Sequence, residues 1–259
     1  MFQKISDRTK ATQHHGFTLV GMLIALVISA FVLAGVTRLF QSSLSSYSKQ
    51  EQLMEMRRTA QITIDKLTDM FMQAGADLPD TIECIDASGS DDVTLHLNLR
   101  GAYQKIRQTA TNSQFQIDNA RAFIGLEKVN LLRTDGTESQ LMLAGLPDTL
   151  NDVITFASTV TLDSGDIIYG KNTYRYWHDP SNDKLHVVVD GNDAVLAQNV
   201  TDFSVTFLTL DELETTNWDD MKICSLYVAI ETAVPLGKGA SAKHRTHDES
   251  KKFFLRNKV

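Results

Sequence analysis

The residues of this 259-residue chain that could do chemistry are few and scattered. It contains no G-x-S-x-G elbow, no H-E-x-x-H zinc motif, no Walker A loop and no C-x-x-C pair. His244, His247, Asp248 and Glu249 stand close together, and imidazole and carboxylate both suit zinc. The same four residues read as well as a solvated loop of mixed charge. Asp86, Asp91 and Asp92 could offer carboxylates to calcium, as could Asp179 and Asp183. Neither group has EF-hand spacing, and Asx turns account for both. Gly237-Lys238-Gly239-Ala240-Ser241-Ala242 fits G-x-G-x-x-A loosely. That loop binds dinucleotides only between a strand and a helix start, and a polar Lys-His-Arg-Thr-His run follows it here. Trp177, Trp218, Phe253 and Phe254 read as core, with an adhesive aromatic face as the alternative. The residues therefore assign no catalytic group, no cofactor and no metal, and the chain reads as a non-enzyme.

A long uncharged stretch lies near the N-terminus. From Phe17 to Thr37 run 21 residues without a charge, FTLVGMLIALVISAFVLAGVT. As a helix the run is about 32 Å long, enough to cross a bilayer. Lys4, Arg8 and Lys10 precede it against Asp7, so the positive-inside rule keeps the start in the cytoplasm and exports the rest. Three readings fit the run. It can be a plain anchor. It can be a secretory signal cut near Val32-Leu33-Ala34, although it is longer than a usual signal core. The third reading turns on the string His15-Gly16-Phe17-Thr18-Leu19.

A short basic leader, that junction and the apolar run together resemble the signal of type IV prepilins and pseudopilins. The resemblance implies a prepilin peptidase that cuts after Gly16 and methylates the new N-terminal Phe17. It implies that the apolar run is kept as an anchor and then as filament core. Most members carry Glu where this chain has Gly21, and that Glu is thought to pair with a neighbour's N-terminal amine. A buried charge needs such a partner, and Gly21 cannot supply it. Gly21 is then either an ordinary small residue of a membrane helix or an atypical filament-packing position, as in some tip subunits.

Helical character continues beyond the run. Residues 38–74 hold no Pro and no Gly, and Ala60, Ile64, Leu67, Phe71 and Ala74 form one stripe at spacings of 4, 3, 4 and 3. Glu55 and Arg58 are spaced for an i,i+3 pair. Gly75 suits a C-cap and Pro79 follows it. A helix from Phe17 to Ala74 would be about 87 Å long. Beyond Gly75 the period changes to two. Val93–Leu99, Tyr174–Trp177, Leu185–Val189, Phe203–Phe207, Ile223–Val234 and Lys252–Arg256 read as strands. His178–Asp183 and Asp190–Asp193 read as turns, and residues 235–250 as a polar loop. Residues 101–150 give only weak strand signals, around Ala122–Val129 and Leu141–Leu143.

The order of the C-terminal segments resembles that of the large minor pilins called PilW, with a related order in the pseudopilin GspJ. The similar strings are Tyr174-Arg175-Tyr176-Trp177, Val195–Val205, Trp218, Ser225–Ile230 and Phe253–Asn257, with the helix end Asp69–Gly75. The resemblance implies an α+β, pilin-like fold: a long N-terminal membrane-spanning helix packed on a C-terminal antiparallel β-sheet domain. It implies a leader at 1–16, a transmembrane half-helix at 17–37, an exported half at 38–75 and a β-rich domain at 76–259. The implied function is that of a minor pilin that primes a type IV pilus and sits at or near its tip. A type II secretion pseudopilin and an unprocessed anchored sensor or adhesin are the other readings. The implied partners are the prepilin peptidase, other minor pilins and the major pilin, the inner-membrane assembly platform and a tip adhesin. The implied place is the inner membrane, with the domain in the periplasm, then the pilus surface. Cys84 and Cys224 would then meet an oxidising compartment, where one bridge is expected. On a chain-entropy argument so long a loop would gain about 4–5 kcal/mol; two buried thiols are the alternative. Composition agrees with a folded exported protein. Hydrophobic residues are 42% and charged residues 22%, and 32 acids against 25 bases give −7, unlike the basic face of a nucleic-acid binder.

Overall fold

The computed structural model describes residues 19–87, 89–236 and 243–255. The chain divides into two units, residues 1–51 and 52–259.

In the first unit every described residue is helical, as the first part of α1 (Leu19–Gln73). Leu26, Phe31 and Leu33 are 69%, 76% and 69% exposed, and the apolar side chains around them are exposed too. A helix apolar on every face is suited to lipid rather than to water, and α1 is long and apolar enough to cross a membrane. Its two described hydroxyls within the apolar run turn back on the helix. Ser29 Oγ donates to the Ala25 carbonyl at 2.7 Å, and Thr37 Oγ1 to that of Leu33 at 2.8 Å. Lipid offers no hydrogen bond, so this internal pairing lets Ser and Thr sit there at little cost.

In the second unit α1 buries one stripe: Met56, Ala60, Thr63, Ile64, Leu67, Thr68 and Phe71. This is the expected stripe, extended by one turn at its start. The Glu55–Arg58 pair is not formed among the described residues; Asp65 instead meets Lys251 at 2.9 Å. The helix ends at Gln73, and Gly75 takes φ +77°. Glycine adopts this left-handed conformation without strain. It turns the Gly75 N–H onto the His96 carbonyl at 2.9 Å, and Asn98 N–H returns to the Ala76 carbonyl at 3.1 Å. The helix end is thereby tied to a strand.

The chain then makes β1 (Ile85–Ala87) and β2 (Asp92–Leu97). A long excursion follows with β3 (Tyr103–Lys105), β4 (Ala110–Gln116), a 3-10 turn (Ala120–Phe123), β5 (Lys128–Leu132), β6 (Glu138–Met142), β7 (Val153–Leu162) and β8 (Ile167–Tyr169). It returns to β9 (Asn172–Asp179), β10 (Lys184–Val189) and β11 (Asn192–Gln198), then β12 (Val200–Leu208), β13 (Ile223–Glu231) and β14 (Thr246–Phe254).

Two sheets face the helix stripe. One has the order β1-β2-β9-β10-β11, the other β12-β13-β14. Val93, Leu95, Tyr176, Leu185, Phe203 and Leu226 enclose Phe71 and Leu67 in one core. The Phe71 ring lies 6.2 Å from that of Tyr176 and 6.3 Å from that of Phe207. Asp190 and Gly191, at φ +49° and +91°, make the two-residue turn that joins β10 to β11. The excursion forms a second core of its own around Phe115, Phe123, Leu131, Phe156 and Ile168. Its strands pair as β3-β8-β5-β6 and as β4-β7. Leu97 pairs directly with Asn172, so residues 98–171 leave and re-enter the first sheet at neighbouring points.

All the described pairings are antiparallel. The plan is α+β and pilin-like: one long apolar N-terminal helix and a domain of antiparallel sheets. Two expectations shift. β13 stops at Glu231, three residues short of Val234; Thr232 still donates to the Arg245 carbonyl at 2.8 Å, in the register of the β13–β14 ladder. β14 starts at Thr246, inside the segment expected to be a loop, and pairs with β13 over nine residues. It is an edge strand with much of its surface in water, so its charges hide the period.

Candidate functional site

The peptide bond between Gly16 and Phe17 lies outside the described residues. The helix that would follow it is in place from Leu19, and Gly21 sits half-buried in its first turns. Gly237–Ala242, Arg256, Asn257 and the Trp218 side chain also lie outside the described residues.

The other singled-out residues have local partners. His244 Nδ1 lies 2.5 Å from the Thr232 carbonyl, and His247 Nε2 lies 3.3 Å from Glu249. Asp248 pairs in register with Ala229. Among the described residues no three His, Cys, Asp or Glu side chains gather around a common point. Asp92 takes two hydrogen bonds from Arg175, at 2.8 and 2.5 Å. Asp86 faces Thr94 in register, and the Asp91 carbonyl accepts from the His178 N–H. Asp179 accepts from the Ser181 N–H at 3.0 Å and from Asn182 Nδ2 at 2.7 Å. Those bonds, led by Asn182 and Ser181, hold its carboxyl down at about 2. This is the Asx turn, and Asp183 at φ +51° closes it.

The expected bridge between Cys84 and Cys224 is not made. Both side chains are buried. Cys224 belongs to the core under the helix, whereas Cys84, just before β1, is not part of that cluster. The two precede or occupy strands of different sheets. Burial pushes the Cys224 thiol far above its ordinary range.

The late aromatics divide. Phe253 packs on the first core, and Phe254 is 57% exposed. Trp177 follows the core residue Tyr176 along β9 and so takes the opposite face. There it stacks on His186 at 4.4 Å. His186 Nδ1 lies 3.1 Å from both Asp193 oxygens.

One polar cluster escaped the sequence reading. Tyr169 donates its hydroxyl to Glu138 at 2.6 Å, and Lys171 approaches the same carboxylate at 3.2 Å. Burial alone would raise the Glu138 pKa, but these two donors outweigh it and hold the carboxyl below its ordinary value. His96 lies nearby, and its pKa is lowered by burial first and by Lys171 second. No short motif marks the cluster, because its members come from three strands, β2, β6 and β8, and from the link between β8 and β9. Of the cluster only Glu138 falls in residues 101–150, which gave weak strand signals and no more.

With this geometry in view, the comparison that bears on function concerns the first residues. Residues 12–37 match the prokaryotic N-terminal methylation motif. That motif is the signal of type IV pilins and type II pseudopilins, and it spans the basic leader's end, the Gly16-Phe17 junction and the apolar run. No curated protein and no solved structure matches the chain. The motif supports a structural subunit of the pilin or pseudopilin kind, cut by a prepilin peptidase and assembled with other pilins. A single apolar N-terminal helix fits anchoring in the inner membrane.

Proposed function

We propose that this protein is a PilW-like minor pilin that primes a type IV pilus and stays at or near its tip. The observation that carries the reading is the methylation motif at residues 12–37. In this reading the leader 1–16 is removed, Phe17 becomes the methylated N-terminus, 17–37 crosses the membrane, 38–75 is the exported half-helix and 76–259 is the periplasmic domain. An exposed apolar helix leaves lipid to pack on neighbouring helices, and that transfer draws the subunit into the filament. Gly21 would leave the subunit without the carboxylate that most pilins offer a neighbour, which suits a position with nothing beyond it. The major pilin, other minor pilins, the assembly platform and a tip adhesin would be its partners. The same motif serves a type II secretion pseudopilin, which is the second reading.

Intact mass and N-terminal sequencing of the membrane-extracted protein test this. The expected start is methylated Phe17, and Gly16→Leu should leave the full-length chain in the membrane. A start at Met1 in the wild type would mean an unprocessed anchor, and a start at Gly35 a secreted protein.

A further inference from the structure

A cleft of about 590 Å³ opens between the five-stranded sheet and the excursion module. Its size falls within the range of small-molecule sites, about 300–1,000 Å³. On the module side, β5 and β6 contribute polar residues from a face that also carries Leu132 and Met142. Asn130 pairs directly with Gln140 across the strands. Lys128 and Glu138 each stand two residues away on the same face, since strand side chains alternate. On the opposite side, His96 and Thr173 form a cross-strand pair of the main sheet, and the Asp190-Gly191 turn closes one end.

The lining separates into groups already held and groups still open. Glu138 is fixed by Tyr169 and Lys171. Asp190 is fixed by Asn172 Nδ2 at 3.0 Å and by the Thr173 N–H at 2.8 Å. These carboxylates are rigid and still have acceptor positions left, because an ionised carboxylate offers about four. Asn130 is only 7% exposed, yet its amide makes no hydrogen bond among the described residues. The neighbouring Gln140 amide makes none either, and Lys128 has no ion-pair partner among the described residues. Neither amide is sealed from water, since the buried polar atoms without a partner among the described residues are Gln52 Oε1 and His186 Nε2; the Asn130 amide is open to the cleft.

This pattern defines a ligand. Two adjacent amides, each a donor and an acceptor, match adjacent hydroxyls. Two fixed carboxylates accept from further hydroxyls. Lys128, exposed at the edge of the cleft, offers one ammonium to a negative charge. The near-balance of the other charges disfavours a polyanion, and so many polar groups disfavour an apolar ligand. We propose that the cleft binds a carboxylated sugar, with Asn130 and Gln140 holding hydroxyls and Lys128 holding the carboxylate. The proposal does not depend on the pilin reading, because it rests only on the second unit.

The test uses the full chain in a detergent without a sugar headgroup. Calorimetric titrations with D-glucuronate, D-glucose and acetate separate the sugar from the charge. Saturable binding of glucuronate is expected, with glucose about tenfold weaker for want of the charged contact and acetate weaker still. Lys128→Gln should bring glucuronate down to the level of glucose, and Asn130→Leu should abolish binding. Gln140→Ala, on an exposed edge strand, should weaken binding without disturbing the fold, and it serves if Asn130→Leu does not fold. Absence of saturable glucuronate binding overturns the proposal. So does acetate binding as well as glucuronate, which would mean a simple anion site, or glucuronate binding that neither Lys128→Gln nor Gln140→Ala alters.

Discussion

At the scale of single residues, burial sets the behaviour of His96 and Cys224. The His96 pKa lies below its ordinary 6.5, first through burial and then through Lys171. As pH falls through 6.5 the unfolded chain takes up a proton before the folded one does. Stability is therefore lost from about 6.5 downward until the folded pKa is reached, and is held above 6.5. We expect His96→Gln to lose less stability than wild type between pH 7 and pH 5, read as the difference in thermal midpoint of the two proteins in detergent. An equal or larger loss would show that His96 does not contribute to the acid limb. Cys224 is wholly buried and its thiol is pushed up by that burial. Reagents attack the thiolate, so iodoacetamide at pH 8 should leave Cys224 unlabelled in the native protein. It should label both Cys84 and Cys224 after unfolding without reductant. A blocked pair in the unfolded, unreduced protein would restore the bridge.

At the scale of elements, the stripe on α1 is the main structural contact. Phe71 is fully buried between two aromatic rings of different sheets. Phe71→Ala should cost about 3–5 kcal/mol, the range for removing a buried phenylalanine. Urea unfolding followed by Trp fluorescence would show the lower midpoint, while Met72→Ala, on the exposed side, should move it little. This stripe was legible in the sequence because its 3.6 period is local and unbroken by Gly or Pro. The hairpin turns at Asp179–Asp183 and Asp190-Gly191 were legible for a similar reason, since their chemistry lies within five residues. β14 was legible only at its end, where Lys252–Phe254 falls within the expected closing strand; its start, on an edge with Asp248, Glu249 and Lys251, shows no apolar alternation. The module was not legible, because β3 and β5 find their common partner β8 far along the chain. The polar cleft follows from that distant pairing, so its residues could not be gathered by spacing. The methylation motif at residues 12–37 was legible because such a signal is a linear string.

At the scale of the whole molecule, the chain joins a lipid-suited helix to a domain with two cores. The module between Asn98 and Lys171 carries its own core and joins the first sheet at adjacent points. Replacing residues 99–170 by Asn-Gly should therefore leave a plain β2–β9 hairpin, since that dipeptide suits a two-residue turn. The shortened protein should keep helix and strand in its circular dichroism and a single unfolding transition. Loss of both would mean that the main sheet needs the module to form.

That neighbouring attachment also bears on the order of events as the chain folds. β2 cannot meet β9 until residues 98–171 have been brought to a common point. Contacts of such sequence separation slow folding, because the entropy of the closing loop is lost before the pairing rewards it. The module removes that obstacle if it forms first. Its own collapse draws Asn98 toward Lys171, and the long loop shrinks to a tight one before the main sheet assembles. The second core would then serve as a timer as well as a support: β2 joins β9 beneath the helix stripe only after the excursion has closed.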